Sequence, residues 1–227
     1  MTRKIWNPSA EQTVTQINST LAMLQEKALA ISYNLVDSVD PTEHECNITW
    51  HNHQPSRANT GKAFCKLDQY FHILSNNSYH CLLYDGSIIR VNFEFEDNVL
   101  LVENLLWWPS PYNLGSLLHD GYPPLDLLLD FYNDPKWFDA IQMRSPVRID
   151  YDSKKDSKDH PRCHMHIQHE ETRIKINKPI CFNKFIQFII HNFFSGFYLS
   201  FSQSDFLIYD TEKSKDIIYG TSEIIIK

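Results

Sequence analysis

The densest chemistry in the chain lies between Arg148 and His166. Arg148-Ile149-Asp150-Tyr151-Asp152 sets an arginine and two carboxylates at alternate positions, and Cys163-His164-Met165-His166 does the same for two imidazoles. In a β-strand the side chains at i and i+2 share a face, so each set projects together. Pairing of the two runs would bring carboxylates and imidazoles onto one surface. Such a set suits a divalent transition metal, since Zn, Mn and Fe accept imidazole and carboxylate. It equally suits acid–base work, with His titrating near neutrality and Asp fixing its tautomer. Asp150, Asp152, His160 and His164 are therefore the candidate catalytic residues. Arg148 is the candidate anion binder, and His164 and His166 are the candidate metal ligands. A purely structural account uses the same residues: Asp152 caps the turn, His160-Pro161 closes the loop, and Arg148 pairs with an Asp across the sheet.

Two other groupings carry less. His44, Cys46, His51, His53 and Cys65 form a Cys/His scatter, but the spacing fits no common zinc finger and no Cys-x-x-Cys occurs. Trp107-Trp108 with Tyr112 could stack a base or fill a partner's pocket, although aromatics at a strand end more often seal a core edge. Cys163, between strand histidines, has the placing of a nucleophile, but a strand-buried thiol is the ordinary case. The chain has no Gly-x-x-x-x-Gly-Lys-Ser/Thr, Gly-x-Gly-x-x-Gly, Gly-x-Ser-x-Gly or His-Glu-x-x-His. Readings as an ATP-driven, dinucleotide-dependent or serine-hydrolase protein therefore fall back.

The bulk numbers narrow the class. A chain of 227 residues, 42% hydrophobic and 22% charged, can bury a core and is long for one domain but short for two. The formal net charge of −7 lacks the basic footprint that nucleic-acid binding needs. Five widely spaced cysteines argue against a disulfide framework. The first residues hold no apolar signal core, and no apolar run approaches the ~18 residues of a membrane span. The expectation is a cytoplasmic protein with no membrane segment.

Several elements must position these residues. Ser9 to Gln12 reads as a capping box. Val14, Ile17, Leu21, Leu24, Ala28, Ile31 and Leu35 then recur at alternating three-four spacing, which predicts a helix over 9–36 with one apolar seam. That seam either pairs with another chain, as a protein partner or a second copy, or lies across the chain's own sheet. Residues 37–66 read as an irregular polar loop. From 67 to 227 the pattern is sheet with packed helices. Tyr70–Leu74 and Tyr79–Tyr84 read as short strands, and Asp85-Gly86 as a turn. Ile89 to Phe95 alternates as a half-buried strand, Glu96-Asp97-Asn98 turns the chain, and Val99–Trp107 returns. A helix from Pro124 to Tyr132 and a helical segment around Trp137-Phe138 follow. Val147–Tyr151, Cys163–Gln168 and Thr172–Ile176 read as strands. Asn183 reads as the cap of an apolar helix through Phe193, and Phe206–Tyr209 and Ile217–Ile226 can add final strands.

Leu83-Tyr84-Asp85-Gly86-Ser87-Ile88-Ile89, Trp108-Pro109-Ser110-Pro111, Ser145 to Asp152, His160-Pro161 with His164, and the aromatic helix Phe185 to Phe194 occur in a characteristic order. Over roughly residues 65–195 the chain resembles the uncharacterised bacterial family known as domain of unknown function 2290. The resemblance implies a bacterial source and keeps Asp150, Asp152, His160 and His164 at the centre. It moves His166 to the margin, because the family pattern usually has a small or polar residue there. It implies no activity.

The expected architecture is one α+β domain over 1–227. It comprises a mainly antiparallel sheet with an N-terminal amphipathic helix and a C-terminal apolar helix packed on it. Two functions of different class fit. One is a non-enzymatic accessory or interaction subunit of a bacterial multi-protein system for stress or phage defence, docking through the Val14–Leu35 seam. The other is a small metal- or His/Asp-dependent hydrolase, a phosphodiesterase or nuclease-like toxin, using Arg148, Asp150, Asp152, His160 and His164.

Overall fold

In the computed structural model of the chain, residues 10–39, 44–50, 64, 66–114, 123–202 and 205–206 are described. Nine strands form one sheet in which every pair is antiparallel: β1 (Ala30–Tyr33), β2 (Val36–Val39), β3 (Glu45–Trp50), β4 (Cys81–Leu83), β5 (Ile88–Glu96), β6 (Val99–Trp108), β7 (Val147–Asp152), β8 (Cys163–Ile167) and β9 (Ile174–Lys175). The helices are α1 (Ala10–Glu26), α2 (Leu67–Ser75), α3 (Pro124–Asn133), α4 (Phe182–Phe193) and α5 (Ser195–Tyr198), with a 3-10 turn over Pro135–Ala140. The strand order runs β1-β4-β5-β6-β7-β8-β9. One edge of β5 is divided, with β4 on Ile88 and Ile89 and β3 on Phe93 to Glu96, and β2 extends β3 outward.

Strand alternation separates the sheet into two faces with different partners. Ile89, Val91, Phe93 and Phe95 of β5 project to one face, with Leu105 and Trp107 of β6, Ile149 and Tyr151 of β7, and Cys163 and Met165 of β8. There they pack against Ile17, Leu21 and Leu24 of α1 and Phe185, Ile186 and Ile189 of α4. The opposite face carries Ile88, Leu106 and Trp108 beneath Tyr70, Phe71 and Leu74 of α2 and Leu127, Leu128 and Phe131 of α3. Trp107 and Trp108, adjacent in sequence, therefore face opposite ways. Trp107 stacks on Phe193 at 4.1 Å and Trp108 meets the edge of Tyr70 at 5.9 Å. Tyr112 is enclosed by Phe71 and Phe131. These aromatics seal the two cores.

The expected mainly antiparallel α+β fold is the one observed, with several corrections. The first helix stops at Glu26, ten residues short of its predicted end. Ala28 takes a left-handed conformation at φ 58°, Leu29 N–H donates to the Leu24 carbonyl, and Ala28 N–H donates to Gln25. This double bond closes a Schellman motif, normally built on glycine, and the chain leaves as β1 and β2. Leu35 consequently stands half exposed on a connection, outside any helical seam. The rest of the seam, at Ile17, Leu21 and Leu24, is buried in the chain's own core. The expected Val14–Leu35 stretch is therefore not one continuous helical seam, and these three residues serve the chain's own core.

Residues 37–66 are not simply irregular, since β2 and β3 pair as a hairpin within them. Tyr70–Leu74 is helical, because its apolar residues bury one face of α2 at positions i, i+1, i+3 and i+4. Asn183 lies inside α4 and accepts the Thr20 hydroxyl at 2.5 Å, tying α4 to α1; Cys181 precedes the helix. Strand β9 covers only the centre of the expected Thr172–Ile176 run. The capping box at Ser9 and the tail strands over 207–209 and 217–226 lie outside the described residues. Among the described residues no helix is long and apolar enough to cross a membrane.

Candidate functional site

The register of three strands assembles the cluster. On β7, Asp150 stands opposite Asn104 of β6 on one side and His164 of β8 on the other. One row along, Arg148 stands between Leu106 and His166. The alternation that sends Ile149 and Cys163 into the α1/α4 core sends Arg148, Asp150, His164 and His166 to the other face. The two sets therefore do face each other.

Asp150 is the hub. Its Oδ1 accepts Arg148 Nε at 2.7 Å and Asn104 Nδ2 at 2.8 Å, while Oδ2 accepts Arg148 Nη2 at 2.5 Å and His166 Nε2 at 3.0 Å. Burial alone would push this carboxyl up. The bonds from His166, Arg148 and Asn104, with the charge of Arg148, outweigh it and hold Asp150 well below the usual carboxylate range. Asp150 is thus an anion throughout the physiological range and not a proton donor.

The histidines are set differently. His164 Nδ1 lies 2.7 Å from the Pro161 carbonyl, which can only accept, so Nδ1 carries the proton and Nε2 keeps the lone pair. That lone pair lies 4.0 Å from Asp150 Oδ2. Burial, reinforced by His166 and His160 and opposed by the Pro161 bond and Asp150, pushes the His164 imidazole down to about 4. It is neutral at pH 7. In His166, Nε2 donates to Asp150, and Nδ1 is buried with no hydrogen-bond partner among the described residues. The ring of His160 meets that of His164 edge-on at 4.8 Å, and its Nδ1 is likewise buried and unpartnered. His160, His164 and His166 thus stand in file beside one carboxylate.

Asp152 belongs elsewhere. Its Oδ1 accepts the Lys154 backbone N–H at 3.0 Å and its Oδ2 pairs with Lys155 Nζ at 3.0 Å. It caps the β7 turn, as the structural account supposed, and the structure does not bring it into the hydrogen-bonded cluster. Cys163 packs in the opposite core, away from the imidazoles. Of the Cys/His scatter, His44 pairs with Asp97 at 2.8 Å and Cys46 donates to Ser38; His51, His53 and Cys65 lie outside the described residues.

Two members of the site escaped the sequence reading. Asn104 follows Glu103 as the only polar pair within the apolar run of β6, and that interruption was the available signal. Phe64 is fully buried, its ring 5.5 Å from the Arg148 guanidinium and 6.1 Å from the His166 ring, and no local pattern marks it. Behind the cluster, on the other face, buried Glu103 accepts Ile180 N–H at 3.3 Å. Burial raises its carboxyl well above the ordinary range.

Asp150, His164 and His166 each offer a ligand atom within 4.8 Å of the others, and all three side chains are buried. Two imidazole nitrogens and a carboxylate oxygen are a donor set for a transition metal, whereas Mg²⁺ and Ca²⁺ prefer oxygen alone.

The fold and the site define an α+β protein built on one antiparallel sheet, with a His/Asp/Arg cluster on the face opposite its larger core. The family model described as "Uncharacterized conserved protein (DUF2290)" matches residues 29–226, and the chain belongs to that family. No curated protein and no solved structure matches the chain.

Proposed function

We propose that the chain is a small hydrolase acting on an anionic ester, in the manner of a phosphodiesterase, through the cluster on β7 and β8. One observation carries the reading: the Nε2 lone pair of His164, fixed by the Nδ1 bond to the Pro161 carbonyl, is held 4.0 Å from the Asp150 carboxylate, beside the Arg148 guanidinium. A fixed lone pair facing a carboxylate is a place where a proton from water, or a Lewis acid that activates water, is stabilised. Arg148 supplies the charge that an anionic ester and its transition state require. His160, edge-on to His164, extends the imidazole file toward the loop. Of the grounds for the accessory-subunit reading, the α1 seam at Ile17, Leu21 and Leu24 is filled by the chain's own core.

Turnover of bis(p-nitrophenyl) phosphate by purified protein tests the proposal. The expected result is hydrolysis above buffer that falls about 10²–10⁴-fold in His164→Ala, with circular dichroism unchanged. Absence of turnover by the wild-type protein on both diester and monoester phosphates would sink the hydrolase reading.

A further inference from the structure

We infer that Asp150, His164 and His166 bind one divalent transition-metal ion of the zinc type through Oδ2, Nε2 and Nε2. The inference rests on the hydrolase reading for its purpose, but its geometry stands apart from it.

The spacing is the first ground. Ligands about 2.0–2.1 Å from a tetrahedral zinc lie roughly 3.3 Å from one another. The separations from Asp150 Oδ2 are 3.0 Å to His166 Nε2 and 4.0 Å to His164 Nε2, which bracket that value. The candidate ligand atoms of all three residues lie within 4.8 Å of one another, so the set closes on an ion only by drawing the side chains inward.

The second ground is the division of labour within Asp150. Oδ1 is held by Arg148 Nε and Asn104 Nδ2, while Oδ2, which also accepts Arg148 Nη2, is the oxygen nearest the two imidazoles. A ligating carboxylate is oriented in this way when its other oxygen takes hydrogen bonds. His164 has the matching support, because the Pro161 carbonyl takes its Nδ1 proton and leaves Nε2 as the donor atom.

The third ground is electrostatic. Oδ2 of Asp150 and Nε2 of His164 are both lone-pair atoms facing each other in a buried site. A cation between them converts that repulsion into two bonds. Arg148 Nη2 gives up its contact with Oδ2, and the guanidinium stays on Oδ1 through Nε. The ion and Arg148 together then exceed the charge of Asp150, which favours an anionic fourth ligand such as hydroxide or a phosphate oxygen.

To ligate through Nε2, His166 must carry its proton on Nδ1, which has no hydrogen-bond partner among the described residues. His166 is therefore the weakest of the three ligands.

Chelator-stripped protein titrated with Zn(II) against a chromophoric competitor, and separately with Co(II), provides the test. The expected result is one equivalent of Zn(II), with the visible bands of a low-coordinate Co(II) centre and no thiolate charge-transfer band. His164→Ala weakens Zn(II) by about 100-fold or more and His166→Asn by less, while surface His44→Ala binds as wild type. Wild-type protein that takes up no stoichiometric ion overturns the inference, as does a thiolate band, which would place the ion on a cysteine. Variants at His164 and His166 that both bind as wild type overturn it too. Diester hydrolysis that survives chelation, with no ion bound, removes the metal and leaves the hydrolase. A bound ion with no hydrolysis supports the site and removes the hydrolase.

Discussion

Asp150 and His164 stand opposite each other in the β7–β8 register, and the atoms they turn toward each other, Oδ2 and Nε2 at 4.0 Å, both carry lone pairs. That relation depends on Arg148, whose guanidinium neutralises Asp150 and leaves His164 as a neutral base. Asp150→Ala removes the carboxylate that takes two bonds from the Arg148 guanidinium, a side chain only 16% exposed. The expected loss is about 3–5 kcal/mol of unfolding free energy. Arg148→Met in the same background should recover part of it, because an apolar pair of similar volume avoids the buried charge. A urea denaturation double-mutant cycle measures both, and an unchanged midpoint for Asp150→Ala would contradict the pairing.

Stability should fall on mild acidification, and His164 sets the window. Its imidazole is pushed down to about 4 in the fold, chiefly by burial, against about 6.5 in an unfolded chain. Between those values the unfolded state binds the extra proton, so unfolding free energy rises with pH across that interval. Read downward, stability is lost from about pH 6.5 to about pH 4, by up to roughly 3 kcal/mol. Asp150, held low, adds a further loss only below about pH 3.9, where unfolded aspartate protonates first. In chelator-stripped protein, denaturation midpoints followed from pH 7 to 4 should be steep in the wild type and flatter in His164→Asn. Equal slopes would remove His164 as the group responsible.

The end of α1 makes a separate prediction. Ala28 sits at φ 58°, exposed, in a position where a Cβ costs about 1–2 kcal/mol and glycine none of it. Ala28→Gly should therefore stabilise the protein by about 1 kcal/mol, seen as a higher thermal midpoint with an unchanged spectrum. This helix end also explains the largest misreading of the sequence. The three-four spacing from Val14 continues through Ala28 to Leu35, and an alanine gives no local sign of a left-handed stop. Tertiary structure made that choice, since Leu29 and Ala30 are buried by turning onto the sheet.

What was legible followed from alternation. The patterns of β5, β7 and β8 were visible because alternating strands imprint a period of two, and β6 followed as the apolar run returning after the Glu96-Asp97-Asn98 turn. The same period placed Arg148 with Asp150 and His164 with His166. Pairing, in contrast, is a long-range property, so neither the opposition of Asp150 to His164 nor the contribution of Asn104 was contained in any local window. Asp152 shares the alternation of its set, yet the Lys154-Lys155 turn captures its carboxylate. Tyr70–Leu74 reads as a strand but lies in α2, because a short apolar run fits a strand and a buried helix equally well.

Gly86 lies at φ +83° in the β4–β5 turn, where the Tyr70 hydroxyl bonds its carbonyl. A Cβ there would come 3.0 Å from Leu128 Cδ1 and 3.1 Å from the Ser110 side chain. Gly86→Ala therefore adds backbone strain to a clash in the second core and should cost about 1–3 kcal/mol. Chemical denaturation measures it, and a loss below the experimental error would show that the turn relaxes freely.

The α1 seam separates a core element from a docking element. Leu21 is fully buried between the sheet and α4, so Leu21→Ala should behave as a core deletion and cost about 2–5 kcal/mol. A docking residue behaves otherwise: its truncation leaves the folded monomer's stability nearly unchanged and shifts association instead. Equilibrium denaturation and sedimentation velocity on the same samples distinguish the two. The expected outcome is a lowered midpoint with the wild-type sedimentation coefficient. An unchanged midpoint with altered association would return the seam to the surface and restore it as an interface.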